Sequence, residues 1–317
     1  MEECVAVWAL QGGRKPAAAI GRWLIDLIIQ HNMGSLNATR NKGISEGKMR
    51  KSLEKLSSGY RINRAGDDAA GLAISELMRS QIRGLNQAMR NVDDGISMTN
   101  TGEGALSEVH SMLERMKTLA VQSANSTYTT VPRDNIDLER QQLLEEIDRI
   151  GVSTDFDDIP LFGSSENAAE KIEALVPPLE ADQIKGDNIT LQIGHDAGEV
   201  LNVPRYYMDS KSLLLEKWTD FSTEHKANES IAIIDAAIEA VADIRAEFGA
   251  AYNHLEHTHN NLSVTSENMT SAESRIRDTD MADEFTTFTK DNIVYQAANS
   301  MVAQANAVPQ SILSLLQ

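Results

Sequence analysis

Proline divides this chain into two long stretches that can be helical and a shorter one that cannot. The seven prolines lie at positions 16, 132, 160, 177, 178, 204 and 309, which leaves residues 17–131 and 205–308 without any. Proline inside a helix removes a hydrogen bond and clashes with the preceding turn, so both of these stretches permit long helices. Four of the seven prolines fall within residues 155–205. We therefore expect a helical arm, a small irregular centre and a second helical arm.

Apolar residues recur along the first arm at the spacing of a coiled-coil seam. Val92, Leu106, Leu113 and Ala120 are separated by multiples of seven, and Val109 and Met116 follow three residues after Leu106 and Leu113. This spacing places all of them on one face of a helix. A second helix is expected to start after Asp134 or Asn135 as its N-cap. Its stripe is Ile136, Leu143, Ile147 and Ile150. The two helices are expected to form an antiparallel pair.

The second arm carries two further apolar runs. In the first run, Leu255, Leu262, Met269 and Ile276 are spaced seven residues apart. The second run contains Ile293, Ala297, Met301, Ala305, Val308 and Ile312. An isolated amphipathic helix is marginal in water, so we expect the two arms to pack against each other. Between the arms, residues 189–203 alternate apolar and polar side chains around a glycine-bounded loop at 194–198 and predict a β-hairpin. The fold class is thus mainly α, with a small β-hairpin region.

Composition excludes several classes of function. The formal charge of −18 argues against nucleic-acid binding, which needs a surplus of Lys and Arg on the contacting face. The single cysteine, Cys4, excludes an internal disulfide framework and a cysteine-based zinc site. No apolar run approaches the about 20 residues that span a bilayer. The basic cluster from Arg40 to Arg64 has Tyr60 as its one aromatic residue, and we interpret it as a solvated or inter-subunit face.

Candidate catalytic and metal-binding residues are sparse. His254, His257 and His259 cluster, but no zinc-protease HExxH motif is present, and a polar surface is the favoured interpretation. The aspartate pairs lack the spacing of a calcium loop and are typical of turns and helix starts. The sequence contains neither a phosphate-binding GxxxxGK[ST] nor a GxSxG nucleophile motif. We expect no enzyme activity, no cofactor and no metal.

Several blocks of sequence resemble the bacterial flagellins. Near the start these are LSSGYRIN at 56–63, AGDDAAGLAI at 65–74, LAVQSAN at 119–125 and EIDR at 146–149. Near the end they are SRIRDTD at 274–280 and AQANAVPQSILSLL at 303–316. The similarity covers residues 28–160 and 226–317, with matches at both ends in order.

The resemblance implies a layered subunit that polymerises into the flagellar filament. Residues 27–68 with 278–317 would form an inner coiled-coil domain, and 69–225 with 226–277 a helical shell that includes the hairpin, with no separate outer domain. Candidate polymerisation and coiled-coil residues are Leu56, Ile62, Ile293, Ala297, Met301, Val308, Ile312 and Leu316. The subunit would be exported by the flagellar type III apparatus and would act outside the cell.

The resemblance also implies partners besides further copies of the chain. These are hook-associated and cap proteins, an export chaperone at the C-terminal helix, and a host Toll-like receptor that senses flagellin. The matching receptor-contact positions are Arg115, Leu119 and Glu139, which the polymer would otherwise bury as filament contacts. Two alternatives stay open: a hook–filament junction protein, whose ends resemble those of flagellin, and an enzyme carried on the filament.

Two places depart from the family pattern. Phe156-Asp157-Asp158 stands where Phe-Asn-Gly is frequent, so a different turn is possible there. Residues 1–26 precede the resemblance and hold Cys4, Trp8 and Trp23. Their atypical composition suggests translated upstream sequence, with the start codon read internally as Leu27.

Overall fold

The computed structural model describes residues 31–163 and 181–315. Its helices are α1 (Met33–Ser58), α2 (Ala69–Ser123), α3 (Thr130–Ser153), α4 (Leu215–Trp218), α5 (Glu224–Arg277) and α6 (Met281–Leu315). Its strands are β1 (Asp155–Phe156), β2 (Ile159–Pro160), β3 (Phe162–Gly163), β4 (Lys185–Gln192) and β5 (Val200–Tyr207). The predicted mainly-α class with a small central β region is confirmed. The extension 1–26 and Leu316 lie outside the described residues.

The stripe predicted on the first arm is the centre of the hydrophobic core. In α2 the side chains with 0% exposure include Val92, Leu106, Val109, Leu113, Met116 and Ala120. Most of them pack in one cluster with Ile136 and Ile147 of α3 and with Val241 of α5. Ion pairs fix α2 antiparallel to α5, since Glu103 lies 2.7 Å from Arg245 and Lys117 lies 2.6 Å from Asp235.

The start predicted for α3 was wrong. The helix begins at Thr130 and its N-cap is Thr129, so Asp134 and Asn135 lie inside it. Pro132 consequently falls in the first turn of the helix. Proline is tolerated there because the first N–H groups of a helix have no intrahelical acceptor.

The predicted β-hairpin is confirmed and is longer than residues 189–203. Ile189 pairs with Val203 and Leu191 with Leu201 in an antiparallel ladder. The Ile193 N–H donates to the carbonyl of Glu199 at 3.0 Å, which leaves 194–198 as the connecting loop. β5 lies between β3 and β4 in a three-stranded sheet.

The aspartate pair at 157–158 forms the turn between β1 and β2. Both residues have positive φ, 54° for Asp157 and 62° for Asp158. A two-residue hairpin turn with positive φ at both central positions is the type favoured by the twist of the strands, and Asp adopts this conformation more readily than most residues. The pair therefore acts as turn residues.

The chain forms two compact units. We call residues 31–73 with 275–315 the terminal unit and residues 74–274 the central unit. The hydrophobic cluster and both small sheets belong to the central unit. The terminal unit consists mainly of α1 packed against α6.

Candidate assembly surface

The α1 side of the seam between α1 and α6 is built mainly from small and polar residues. Three contacts fix the two helices antiparallel: Asn32 Nδ2 donates to the carbonyl of Ala305 at 2.8 Å, Lys42 lies 5.8 Å from the ring centroid of Tyr295, and Lys55 lies 3.3 Å from Glu284. In α1 the positions turned to the seam follow steps of three and four: Ser35, Ala38, Lys42, Ser45, Met49, Ser52 and Leu56. Only two of these seven side chains are large and apolar. The α1 side of the seam therefore buries few of the large apolar residues of that helix.

Many large apolar side chains of the terminal unit point to solvent. Nine of them are between 45% and 62% exposed: Met33, Leu36, Ile44, Leu53, Met281, Phe285, Ile293, Val294 and Met301. Full burial of one such side chain is worth about 1.5–3 kcal/mol. Exposed apolar surface of this extent marks an interaction site. The terminal unit thus presents an apolar surface whose burial against another molecule is energetically favourable.

The connector after α1 is clamped to the segment before α6. Gly59 has a φ of 75°, a conformation suited to glycine, and ends α1 by donating its N–H to the carbonyl of Lys55 at 2.8 Å. The next residue, Tyr60, forms an isolated antiparallel bridge with Asp278. The Arg277 guanidinium lies 4.7 Å from the centroid of the Tyr60 ring. The two chain segments are thereby held side by side within the terminal unit.

Asp67 folds the same connector back onto α1. Its carboxylate lies 2.7 Å from Lys51 Nζ and accepts the backbone N–H groups of Asn63 and Arg64 at 3.3 and 3.2 Å. The hydrogen bond from Lys51 lowers the pKa of Asp67 below its ordinary 3.8; burial opposes this shift, and the two backbone donors add to it. The ionised carboxylate is therefore the form that the fold stabilises.

Asp67→Asn is expected to reduce stability in a pH-dependent way. Because the folded pKa is lower than the unfolded pKa, the contribution of Asp67 is fully present above the unfolded value of 3.8 and is lost as pH falls through the folded pKa. The difference in thermal stability between wild type and Asp67→Asn should be largest near neutral pH and shrink as the pH falls below 3.8. Circular dichroism melts across this range measure it. Lys51→Met, which removes the partner, is expected to behave similarly, and an undiminished difference in acid would contradict the assignment.

Of the three predicted receptor-contact residues, the structure brings two together at the surface. Arg115 on α2 binds Glu139 on α3 through Nη2 at 2.6 Å and Nε at 2.8 Å, both to the same carboxylate oxygen. Both side chains are about half exposed, 54% for Arg115 and 41% for Glu139. Leu119 is only 1% exposed and belongs to the core cluster. Leu119 lies about one helical turn beyond Arg115 on α2, and the rotation of the helix over these four residues turns its side chain towards the core.

The predicted polymerisation residues occupy different environments. Ile293 and Met301 are each 62% exposed, and Ala297 is exposed beside them. Leu56 is half-buried in the seam and Ile62 is 1% exposed within the connector. Val308 and Ile312 belong to α6, but their side chains lie outside the described part of the structure, as does Leu316.

The resemblance implied the pairing of residues 27–68 with 278–317, but sequence reasoning missed the α1 residues that form the seam and the clamp at Tyr60 and Arg277. The seam repeats small residues at heptad spacing, and a search for apolar stripes passes over it. The clamp joins residues more than two hundred positions apart, and no local pattern marks it. A search for heptads of Ser and Ala would have found the seam in α1.

The histidine cluster does not form a metal centre with its neighbours. His254 and His257 are exposed on α5, and His259 Nε2 lies 3.4 Å from Asp93 Oδ1. Within residues 31–163 and 181–315, no three His, Cys, Asp or Glu side chains are grouped to hold a metal ion. In the same residues, none of the helices has the length and apolar character needed to cross a bilayer.

Comparison with known proteins agrees with this architecture. Residues 29–167 match the bacterial flagellin N-terminal helical region, and residues 231–316 match the bacterial flagellin C-terminal helical region. A flagellin of Halalkalibacterium halodurans is 46% identical over 292 residues, covering 92% of this chain and 100% of that protein. A flagellin of Bacillus subtilis is 41% identical over 312 residues, covering 91% and 99%. The crystal structure of Bacillus cereus flagellin aligns over 58% of this chain and 94% of that chain, with 31% identity and a TM-score of 0.45.

The two family regions coincide with the helices at either end of the chain. They cover α1 to α3 at the start and nearly all of α5 and α6 at the end. Since both regions are present in order and a relative is 46% identical over 92% of this chain, the chain belongs to the bacterial flagellin family.

Proposed function

We propose that the chain is a structural subunit that self-assembles into the extracellular flagellar filament, with the terminal unit as its inner domain and the central unit as its shell. The observation that carries this proposal is the set of nine exposed apolar side chains on the terminal unit. Covering these side chains removes apolar surface from water and so favours association, and copies of the same chain provide apolar faces of the same kind. The close flagellin relatives support a filament subunit over a hook–filament junction protein.

Seeded polymerisation tests the proposal. Purified subunit, dissociated by heat and cooled, is expected to extend added filament fragments into long filaments under the electron microscope. A central unit alone, residues 74–274, lacks the exposed apolar faces of α1 and α6 and is expected to give none. Growth of equal filaments by both proteins would contradict the role of the terminal unit.

We propose further that the subunit leaves the cell through the flagellar type III apparatus and that a chaperone covers α6 beforehand. Phe285, Ile293 and Met301 on α6 are each 61–62% exposed, so a free subunit needs protection from premature association. Hook-associated and cap proteins would adjoin the filament at its two ends. Each of these partners would contact surface that the single subunit leaves open.

A host receptor for free flagellin would bind the central unit at Arg115 and Glu139. The two side chains present a planar guanidinium beside a carboxylate on adjoining helices, and both remain partly open to solvent. Leu119 would support this surface from below through core packing, since it is buried. Binding would occur on the unassembled subunit if the filament covers the same face.

Arg115→Asp is expected to weaken receptor binding by about tenfold or more, equivalent to about 1.4 kcal/mol, because an attractive charge becomes repulsive. Surface plasmon resonance with the receptor ectodomain and monomeric subunit measures the effect. Arg149→Asp is a matched control, since Arg149 forms a comparably exposed pair with Glu146 elsewhere on α3. Equal affinities for wild type and Arg115→Asp would contradict the site.

A further inference from the structure

Methionine is distributed unequally between the two units. In the terminal unit Met33, Met281 and Met301 are 58%, 50% and 62% exposed. In the described part of the central unit every methionine is buried or half-buried. The large side chains that the central unit does expose are other apolar residues, such as Leu77, Val131 and Val152. Among the described residues, exposed thioethers are therefore confined to the terminal unit.

The three exposed methionines occupy both ends of the α1–α6 pair. Met33 follows Asn32, whose side chain donates to Ala305, so Met33 and the C-terminal part of α6 lie at one end. Met281 begins α6 at the other end, near the contact between Lys55 and Glu284. One-third of the nine large apolar side chains exposed by the terminal unit can thus be oxidised.

We propose that Met33, Met281 and Met301 are oxidation sites through which a peroxide-class oxidant stops the unassembled subunit from polymerising. The inference rests on the proposed self-assembly through the terminal unit. It adds a chemical modification that acts on the same surface, and it limits that modification to subunits not yet incorporated.

The reaction is a two-electron oxygen transfer. A lone pair on the methionine Sδ attacks one oxygen of hydrogen peroxide, the O–O bond breaks, and a sulfoxide forms while the second oxygen leaves as water with both protons. The sulfur is oxidised and the peroxide is reduced, with no further reactant. The product is a polar, chiral group in place of a flexible apolar one.

Oxidation acts on assembly because the sulfoxide must be dehydrated when the face is covered. Burial of a polar group without a hydrogen-bond partner opposes association, whereas burial of the thioether favours it. In a filament the same sulfur atoms are covered, so the oxidant reaches them slowly. The subunit is therefore sensitive to oxidation before it enters the filament and protected from oxidation afterwards.

Peptide mass spectrometry of the full chain tests where oxidation occurs. After brief treatment of monomer with hydrogen peroxide, one added oxygen is expected at each of the three sites, and little at Met98, Met116 and Met208, which are 4%, 0% and 0% exposed. The same treatment of filaments is expected to leave the three sites largely reduced. Oxidation of the buried methionines at the same rate would overturn the proposal.

Two matched triple variants test the consequence. Changing all three residues to Leu keeps the apolar volume and removes the sulfur, and this variant is expected to polymerise equally well with and without peroxide. Changing all three to Gln imitates the polar product, and it is expected to raise the critical concentration for seeded growth by about tenfold or more without oxidant. Normal growth of the Gln variant or of oxidised wild type overturns the inference alone. Failure of untreated wild type to grow contradicts the proposed function and the inference with it.

Discussion

Ile293→Asp is expected to leave the subunit folded and to raise the critical concentration for filament growth by about a hundredfold or more. Ile293 is 62% exposed on α6, on the side away from α1. In the proposed polymer its burial supplies about 1.5–3 kcal/mol, and a carboxylate in its place also has to be dehydrated. Sedimentation of seeded reactions over a range of subunit concentrations measures the change.

The conservative variant Ile293→Leu is the control for this experiment. It retains the apolar side chain at similar volume and is expected to polymerise nearly as wild type does. Circular dichroism is expected to give the same helix content and the same unfolding of the central unit for both variants, because Ile293 lies in the terminal unit. Normal growth of Ile293→Asp would show that the outer face of α6 stays exposed in the filament.

Gly151→Ala is expected to destabilise the central unit by about 1–3 kcal/mol, although alanine is the better helix former. A methyl group at Gly151, near the end of α3, would collide with the backbone carbonyl oxygen of Met208. The following residues cannot yield easily, since Asp148 accepts the N–H of Ser210 at 2.6 Å and its hydroxyl at 2.9 Å. Urea unfolding followed by circular dichroism measures the loss.

Gly249→Ala provides the matched comparison within the same unit. Gly249 lies in α5, and a methyl group there would meet no atom within 4 Å. This substitution is expected to raise the free energy of unfolding by about 0.5–1 kcal/mol through helix propensity alone. If both substitutions stabilise the protein, the close packing of α3 against the chain after β5 is wrong.

The sequence was sufficient for the central unit because its core follows the apolar pattern. Val92, Leu106 and Leu113 recur at multiples of seven, and all are fully buried. The hairpin was likewise predicted from the alternation of apolar and polar side chains. The start of α3 was misplaced because Asp134 is a good capping residue, whereas the actual cap, Thr129, makes no side-chain capping bond.

The terminal unit was less predictable because many of its large apolar residues take no part in contacts within the subunit. A stripe such as Ile293 and Met301 indicates that something covers it, and the pattern alone does not say whether the partner is α1 or another molecule. The structure places Ser45 and Ser52 toward the α1–α6 seam and leaves the apolar stripe outside. Similarly, the resemblance placed Leu119 with Arg115 at a receptor-contact surface. The structure buries Leu119 because of its position around the axis of α2.

The bond from Asn32 to Ala305 spans 273 positions, so nearly the whole chain must be present before the first and last helices can meet. Closing so long a loop is slow compared with forming the contacts of the central unit, which require no residue beyond 274. The α1–α6 pair is therefore expected to form after the core of the central unit. A chain that has lost its final helix cannot form this pair, and under the proposed function such a chain is expected not to add to a filament.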